Sequence, residues 1–359
     1  MVMSYNEAVR IADEVLLRRI TELYGLTDYC LTRIAPHEDG RNLVYRCEKE
    51  GLDAKIIRIA FLNDRSPQDF LAELEYVRYL SEHGANVSNV ISSQTGNLME
   101  EMVHDNHTFS VCLFERARGK MLVENNYRYR DGAPIHEYFY NCGKTLGKLH
   151  QLSKEYHPVH HRYSFLDKYN DDYLVKLIPA SLPLLRGKLQ GLLKTLQGLD
   201  RGQHSFGMVH FDYGDGNYMI DFCTGDITVY DFDDSCFCWY MYDLAATWRN
   251  GVGWIQFERD VAKRKEFMAD YFGTVLTGYR SETVIEESTL EQLPLFIQAV
   301  LMENMVGEFE SMHKNGEALE CDETLSYLLT CMEQDIPYLG FFDAIYSCDE
   351  PFTHEIRKL

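Results

Sequence analysis

"VHFDYGDGNYMIDFCTGDITVYDFDD", residues 209–234, sets seven aspartates, one histidine and one asparagine among apolar and aromatic residues. Its pattern is strand, turn, strand, with Cys223-Thr224-Gly225-Asp226 at the turn. Carboxylates so close together repel: two like charges 4 Å apart cost about 4 kcal/mol at an effective dielectric of about 20. A hairpin brings its two ends together, so Asp212 and Asn217 on the way in can meet Asp231 and Asp233 on the way out. Asp231 and Asp233 share a face if the strand continues through them. Asp221 and Asp226 fall near the far turn and face water, and Asp215 shapes the GDG loop. The carboxylates are then either solvated hairpin ends or the holders of a cation. Three or four oxygen ligands without a Cys/His cluster suit a hard divalent ion such as Mg²⁺, which shares its remaining positions with water and phosphates. That chemistry is phosphoryl transfer or phosphate-ester hydrolysis.

Upstream, Ser4 and Glu7 have capping-box spacing, and apolar residues recur at helical intervals from Val9 to Leu23. Three strand-like runs follow, YCLTRIA (29–35), NLVYRCE (42–48) and AKIIRIA (54–60), joined by the turn sequences PHEDGR and KEGLD. This predicts an antiparallel meander. Ser66-Pro67 opens a helix that ends at Gly84, and NVISSQTGNLMEEM and FSVCLFERA supply two further strands. Beyond ERARGK the pattern turns helical, at 137–155, 172–199, 258–278 and 289–314, interrupted by the short strands VHFD, YMID and ITVYDF. The expected division is a β-rich lobe over 1–117 and a mostly helical lobe over 118–359. A chain of 359 residues exceeds the size at which one core usually stops growing, which also predicts two lobes.

The net charge of −21 argues against a nucleic-acid partner, whose phosphates demand Lys and Arg. Residues 1–117 carry 12 basic and 19 acidic side chains, nearly the same density of negative charge as the remainder. The acidity is therefore global and picks out no substrate. No apolar run reaches membrane-spanning length, and the N-terminal residues lack the basic start and apolar core of a secretory signal, so a cytoplasmic protein without a membrane partner is expected. The ten cysteines are scattered, several inside apolar strand or helix patterns, and read as reduced thiols packed as small hydrophobes. His150 reads as a packed helix histidine, His157, His160 and His161 as a polar loop, and the aromatic run FCWYMYDLAATW (237–248) as core.

The order of these motifs resembles the aminoglycoside phosphotransferase and choline kinase-like family of small-molecule kinases. His210, Asp212 and Asn217 form H-x-D-x-x-x-x-N; the hairpin, D-F-D-D (231–234) and Y-D-L-A (242–245) follow. GRNLVYR is similar to the family's nucleotide loop, IIRI to its phosphate-contacting strand, ELEYVRYLSEHG to its first-lobe helix, LFERARGK to its hinge, and LGKLH to the helix before the catalytic loop. The resemblance implies an α+β, bilobal protein-kinase-like fold with a β-rich N-terminal lobe that binds nucleotide and a mostly helical C-terminal lobe that supplies catalysis and the acceptor pocket. It implies a phosphotransferase that moves the γ-phosphate of ATP or GTP, with Mg²⁺, to a hydroxyl of an aminoglycoside-, amino-alcohol- or sugar-like molecule. Asp212 would be the catalytic base, Asn217 and Asp231 the metal ligands, and Asp233 a further metal ligand or substrate contact. His210 would brace the catalytic loop and Asp243 anchor it. Arg58 would contact phosphate and pair with Glu73, and the backbone from Glu115 to Ala117 would receive the adenine.

Two positions depart from the pattern. Arg58 stands where lysine is usual, and the nucleotide loop has Gly40 alone instead of a G-x-G-x-x-G run. The alternatives from other classes are a metal-dependent phosphoesterase built on the same carboxylates and a nucleotide-binding pseudokinase.

Overall fold

The computed structural model describes residues 3–35, 40–62, 64–315 and 322–335. Ser4 caps the first helix, α1 (Tyr5–Ile11), accepting from the Glu7 N–H at 3.3 Å. A π-helical turn, Ala12–Leu16, joins it to α2 (Leu17–Leu23). The apolar periodicity from Val9 to Leu23 does not register this local widening.

The predicted meander is present: β1 (Cys30–Ile34), β2 (Asn42–Glu48) and β3 (Lys55–Ala60) pair antiparallel in sequence order. Most of the turn PHEDGR, at 36–39, lies outside the described residues. Helix α3 (Pro67–Glu82) starts where expected, with a reciprocal box in which Ser66 caps the Asp69 N–H and Asp69 caps the Ser66 N–H. The segment read as one strand, NVISSQTGNLMEEM, forms two, β4 (Val90–Ile91) and β5 (Met99–His104), because the chain turns at Ser93–Gly96. Strand β6 (His107–Glu115) pairs with β3, β4 and β5, giving the sheet order β1-β2-β3-β6-β4 with β5 also on β6.

After this sheet-rich region come α4 (Ile135–Ser153), α5 (Phe165–Lys168), α6 (Asp171–Leu177) and α7 (Pro183–Gln197). The stretch 172–199, expected as one helix, is split at its prolines. Ile178 before Pro179 is extended, and α7 restarts with Pro183 in its first turn. The short strands are β7 (Phe206–Val209), β8 (Tyr218–Ile220), β9 (Ile227–Val229) and β10 (Cys236–Trp239). Strand β10 pairs with β7 and overlaps the aromatic run read above as core; Cys236, Cys238 and Trp239 are indeed buried. Helices α8 (Tyr240–Ile255), α9 (Val261–Arg280), α10 (Glu287–Leu290), α11 (Leu293–Asn315) and α12 (Glu323–Glu333) complete the helical region.

The chain forms two compact units. The first comprises Met1–Asp131, Tyr156–Arg162 and Asp215–Asp233; the second comprises Gly132–Glu155, Tyr163–Gly214 and Asp234–Leu359. The segment 156–162 joins the first unit by packing on α3: Tyr156 lies against Tyr76 and Tyr79, and His160 pairs with Glu75 at 2.7 Å. The β8–β9 hairpin joins it by a backbone exchange between Ile220 and Lys120, at 2.8 and 3.1 Å. That approach requires Gly119, whose φ is +98° and where a Cβ would meet the Ile220 carbonyl oxygen at 2.0 Å. In the second unit α4 crosses α9 on glycines: a Cβ on Gly143 or Gly278 would strike the backbone of the opposite helix.

The eight described cysteines are free, six of them buried; Cys321 and Cys348 lie outside the described residues. Among the described residues no helix is long and apolar enough to cross a membrane.

Candidate active site

In the second unit the loop leaving β7 carries His210, Phe211 and Asp212. Its anchor is Asp243, fully buried in the first turn of α8. One Asp243 oxygen accepts the His210 N–H at 2.9 Å, and the other accepts the Phe211 N–H at 3.0 Å. Charge-assisted bonds of this kind are about twice as strong as neutral ones. They hold Phe211 in the left-handed region at φ +73°, which is sterically unfavourable for a bulky residue. The Phe211 ring is clamped face to face on Tyr242, 4.4 Å between centroids and 2° from parallel. The next residue, Asp212, is exposed. A rigid, strained backbone thus presents one solvent-accessible carboxylate, as a general base requires.

His150 completes the anchor. It lies on the inward face of α4, with one ring nitrogen 3.2 Å from Asp243 and the other 2.9 Å from the Tyr279 hydroxyl. Burial pushes its pKa down, against the raising effect of Asp243, so the imidazole is held neutral. The packed-helix reading of His150 captured its burial and missed this partner. The signal was its place in LGKLH, ahead of the catalytic loop.

In the first unit the β8–β9 hairpin pairs Tyr218 with Val229, Met219 with Thr228 and Ile220 with Ile227. The Tyr230 N–H donates to the Asn217 carbonyl at 2.9 Å, so Asn217 and Asp231 flank the last rung of the hairpin. The far turn holds Asp221 and Asp226, as expected, with the Asp221 N–H on the Asp226 carbonyl at 2.9 Å. The expectation that Asp231 and Asp233 share a strand face is corrected. Strand β9 ends at Val229, and Asp231 adopts a left-handed φ of +59°. Phe232 is buried edge-on against Tyr76 of α3 at 5.9 Å. The two aspartates consequently have different surroundings: Asp231 is exposed and Asp233 is buried.

Asp233 lies among guanidinium groups. Its carboxylate accepts from Arg65, lies 4.0 Å from Arg58 Nη1, and accepts from the Asn42 amide at 3.3 Å. Burial alone would raise its pKa, but Arg58, Arg65, Arg41 and Arg162 together hold it at about 2. Arg65 and Arg162 had no distinguishing pattern in the sequence.

Arg58, in β3, forks onto Glu73 of α3 through two parallel bonds of 2.8 Å, both groups buried, and also stacks on Phe114 at 5.1 Å. This is the pair expected from the sequence, made by arginine in place of lysine. At the end of β6, Glu115 donates its N–H to the Asn89 carbonyl at 2.8 Å and accepts from the Ser88 hydroxyl. The Arg116 N–H donates to Ala54 at 3.1 Å, and Ala117 is buried. A carbonyl has two lone pairs, so Glu115 retains acceptor capacity.

Among the described residues no group of three or more His, Cys, Asp or Glu side chains could hold a metal unaided. The oxygen donors that the resemblance in the sequence assigns to a divalent ion, the Asn217 amide and the exposed Asp231 carboxylate, belong to the residues flanking the last rung of the hairpin. Two such donors match an ion that completes its shell with water and phosphate.

A strained catalytic-type loop tied to an aspartate, a hairpin ending in asparagine and aspartate, and a buried strand-to-helix ion pair define a protein-kinase-like small-molecule kinase. The chain matches the phosphotransferase enzyme family over residues 33–281, more than half its length, and belongs to that family. It is similar to the amicoumacin kinase of Bacillus subtilis (strain 168), 25% identical over 337 residues that cover 92% of this chain and 94% of the relative. Among solved structures it is similar to an amicoumacin kinase in complex with AMP-PNP, Ca²⁺ and Ami, with a TM-score of 0.77, 24% identity and coverage of 93% and 97%. A microcompartment-associated aminopropanol kinase gives a TM-score of 0.64 at 20% identity, with coverage of 92% and 96%. The protein is a phosphotransferase that acts on a hydroxyl group of a small molecule.

Proposed function

We propose that the protein transfers the γ-phosphate of ATP or GTP to a hydroxyl of an amine-bearing small molecule, with Mg²⁺ as the divalent ion. The observation that carries this reading is the contrast among the aspartates: Asp212 and Asp231 are exposed, whereas Asp243 and Asp233 are buried and engaged in holding backbone and arginines. Asp212 is assigned as the base. It orients the acceptor hydroxyl and accepts its proton as the oxygen–phosphorus bond forms and the nucleoside diphosphate leaves. Asn217 and Asp231 are assigned to the divalent ion, which supplies charge neutralisation on the phosphates when bound.

Residues 1–117 are assigned to nucleotide binding and 118–359 to catalysis and acceptor binding. Arg58 contacts phosphate from its fork on Glu73, and Glu115 and Ala117 receive the adenine edge through their backbone. Catalysis consists of positioning and electrostatic stabilisation, with no covalent enzyme intermediate.

The amine assignment is supported by acidity around Asp212 in the second unit. Burial raises the Glu303 pKa, and the negative charges of Asp234 and Asp212 act in the same direction, against Lys168 and Arg249. The Tyr169 hydroxyl lies 3.5 Å from Glu303. A cationic acceptor relieves this repulsion, whereas an anionic one adds to it. Aminopropanol, named for one similar structure, is an amino alcohol.

The test is Asp212→Asn. The expected result is a fall in kcat of about 10²–10⁴ with nucleotide affinity unchanged within about twofold, measured by steady-state kinetics and analogue binding. Near-normal turnover would remove Asp212 from the role of base.

A further inference from the structure

The sequence leaves Asp233 open as an extra metal ligand, and its surroundings in the first unit argue for another task. Its carboxylate accepts from Arg65 and from the Asn42 amide, and its backbone carbonyl accepts from both Arg65 and Arg162. Arg162 also donates to the Asp69 carbonyl in the first turn of α3 at 2.8 Å. Arg58 Nη1, 4.0 Å from the Asp233 carboxylate, simultaneously bonds Glu73 at 2.8 Å. One residue thus links the start of β2, the middle of β3, the segment entering α3 and α3 itself to the chain two residues beyond Asp231. The side chain is only 12% exposed, and those of Arg58 and Arg65 are each 8% exposed.

The charge balance decides between the two roles. A magnesium ion would sit about 2 Å from a carboxylate oxygen. Both Asp233 oxygens already face donors, Arg65 on one and Asn42 on the other, with Arg58 close by. A dication placed there would oppose two guanidiniums at close range in a poorly screened site, where like charges repel by several kcal/mol. Removing the carboxylate would leave those guanidiniums buried with much of their counter-charge gone, which is the costly outcome for a buried ion network.

Resting on the phosphotransfer reading above, we propose that Asp233 is a positioning residue: an anionic hub that holds Arg58 in its phosphate-contacting pose and fixes the segment carrying Asp231, without ligating metal. The expected consequence is a defect in nucleotide KM separable from metal dependence.

The experiment uses the full chain and measures kcat, KM for ATP and the Mg²⁺ concentration for half-maximal activity at saturating nucleotide. Wild type is compared with Asp233→Asn, Arg65→Gln, the double variant and Asp231→Asn. The hub predicts that Asp233→Asn raises KM for ATP about tenfold while the half-maximal Mg²⁺ concentration stays within twofold. It also predicts that Arg65→Gln raises KM in the same way, and that the double variant is no worse than Asp233→Asn, because the two residues act as one unit. Asp231→Asn, by contrast, shifts the metal dependence.

A tenfold or larger shift of the Mg²⁺ midpoint in Asp233→Asn, with no coupling to Arg65, would make Asp233 a metal ligand and overturn the proposal. A fall in thermal midpoint with both kinetic constants intact would reduce it to a structural ion pair and also overturn it. Should Asp233→Asn fail to fold, Arg65→Gln decides alone: KM rises with metal dependence fixed under the hub, whereas a metal-ligand role for Asp233 predicts a lower Mg²⁺ midpoint once the competing cation is gone. An inactive wild type across nucleotides and amine-bearing acceptors would instead count against the phosphotransfer reading itself.

Discussion

At the scale of single residues, two non-glycine backbones in the left-handed region lie at the proposed chemistry, Phe211 beside the base and Asp231 at the metal position. Such conformations cost about 1–3 kcal/mol each and persist only where the surroundings enforce them. Asp243 and the Tyr242 stack enforce the first, and Phe232 packed on Tyr76 enforces the second. His150 supports Asp243 as a neutral imidazole, and this gives stability a pH dependence of defined sign. The native pKa lies below the ordinary value near 6.5 because burial disfavours the charged form, while the unfolded chain takes up its proton near 6.5. The contribution of His150 is therefore complete above about pH 6.5 and is lost as the pH falls from there toward the native value, at up to about 1.4 kcal/mol per pH unit. His150→Gln should flatten the pH dependence of the urea-unfolding free energy as the pH falls below about 6.5. An unchanged slope would mean that His150 is not held neutral.

At the scale of elements, the strands and helices of the sheet-rich region were legible because period-2 runs and a serine-proline helix start are local signals. Boundaries were lost where one residue overrode the pattern. Pro179 and Pro183 divide α6 from α7, and the turn at Ser93–Gly96 divides β4 from β5. Strand β10 was missed because CFCW is apolar throughout and also reads as core. The candidate base and metal residues were visible through spacing and family resemblance. Arg65, Arg162 and Glu303 were not, because each comes to its partners through tertiary packing that no local pattern encodes. Gly119 is the element-scale test. A side chain there meets the Ile220 carbonyl at 2.0 Å and requires a φ of +98°. Gly119→Ala should destabilise the protein by about 1–3 kcal/mol in chemical denaturation, by parting the segment after β6 from the hairpin. A midpoint equal to wild type would show that this backbone exchange contributes nothing.

For the whole molecule, a net charge of −21 spread evenly along the sequence favours cations in general and selects none in particular. Selection has to come from local groups, which is why the amine-bearing acceptor rests on Glu303, Asp234 and Asp212 and not on the overall charge. The claim on which the rest depends is that nucleotide binding requires a divalent ion held by Asp231. Calorimetric titration with AMP-PNP, and in parallel a non-hydrolysable GTP analogue, with and without Mg²⁺, on wild type and Asp231→Ala, tests it directly. Wild type should bind at least one analogue in a Mg²⁺-dependent manner, and Asp231→Ala should bind it at least tenfold more weakly. No binding of either analogue at millimolar concentration, or binding indifferent to both Mg²⁺ and the substitution, would contradict the claim.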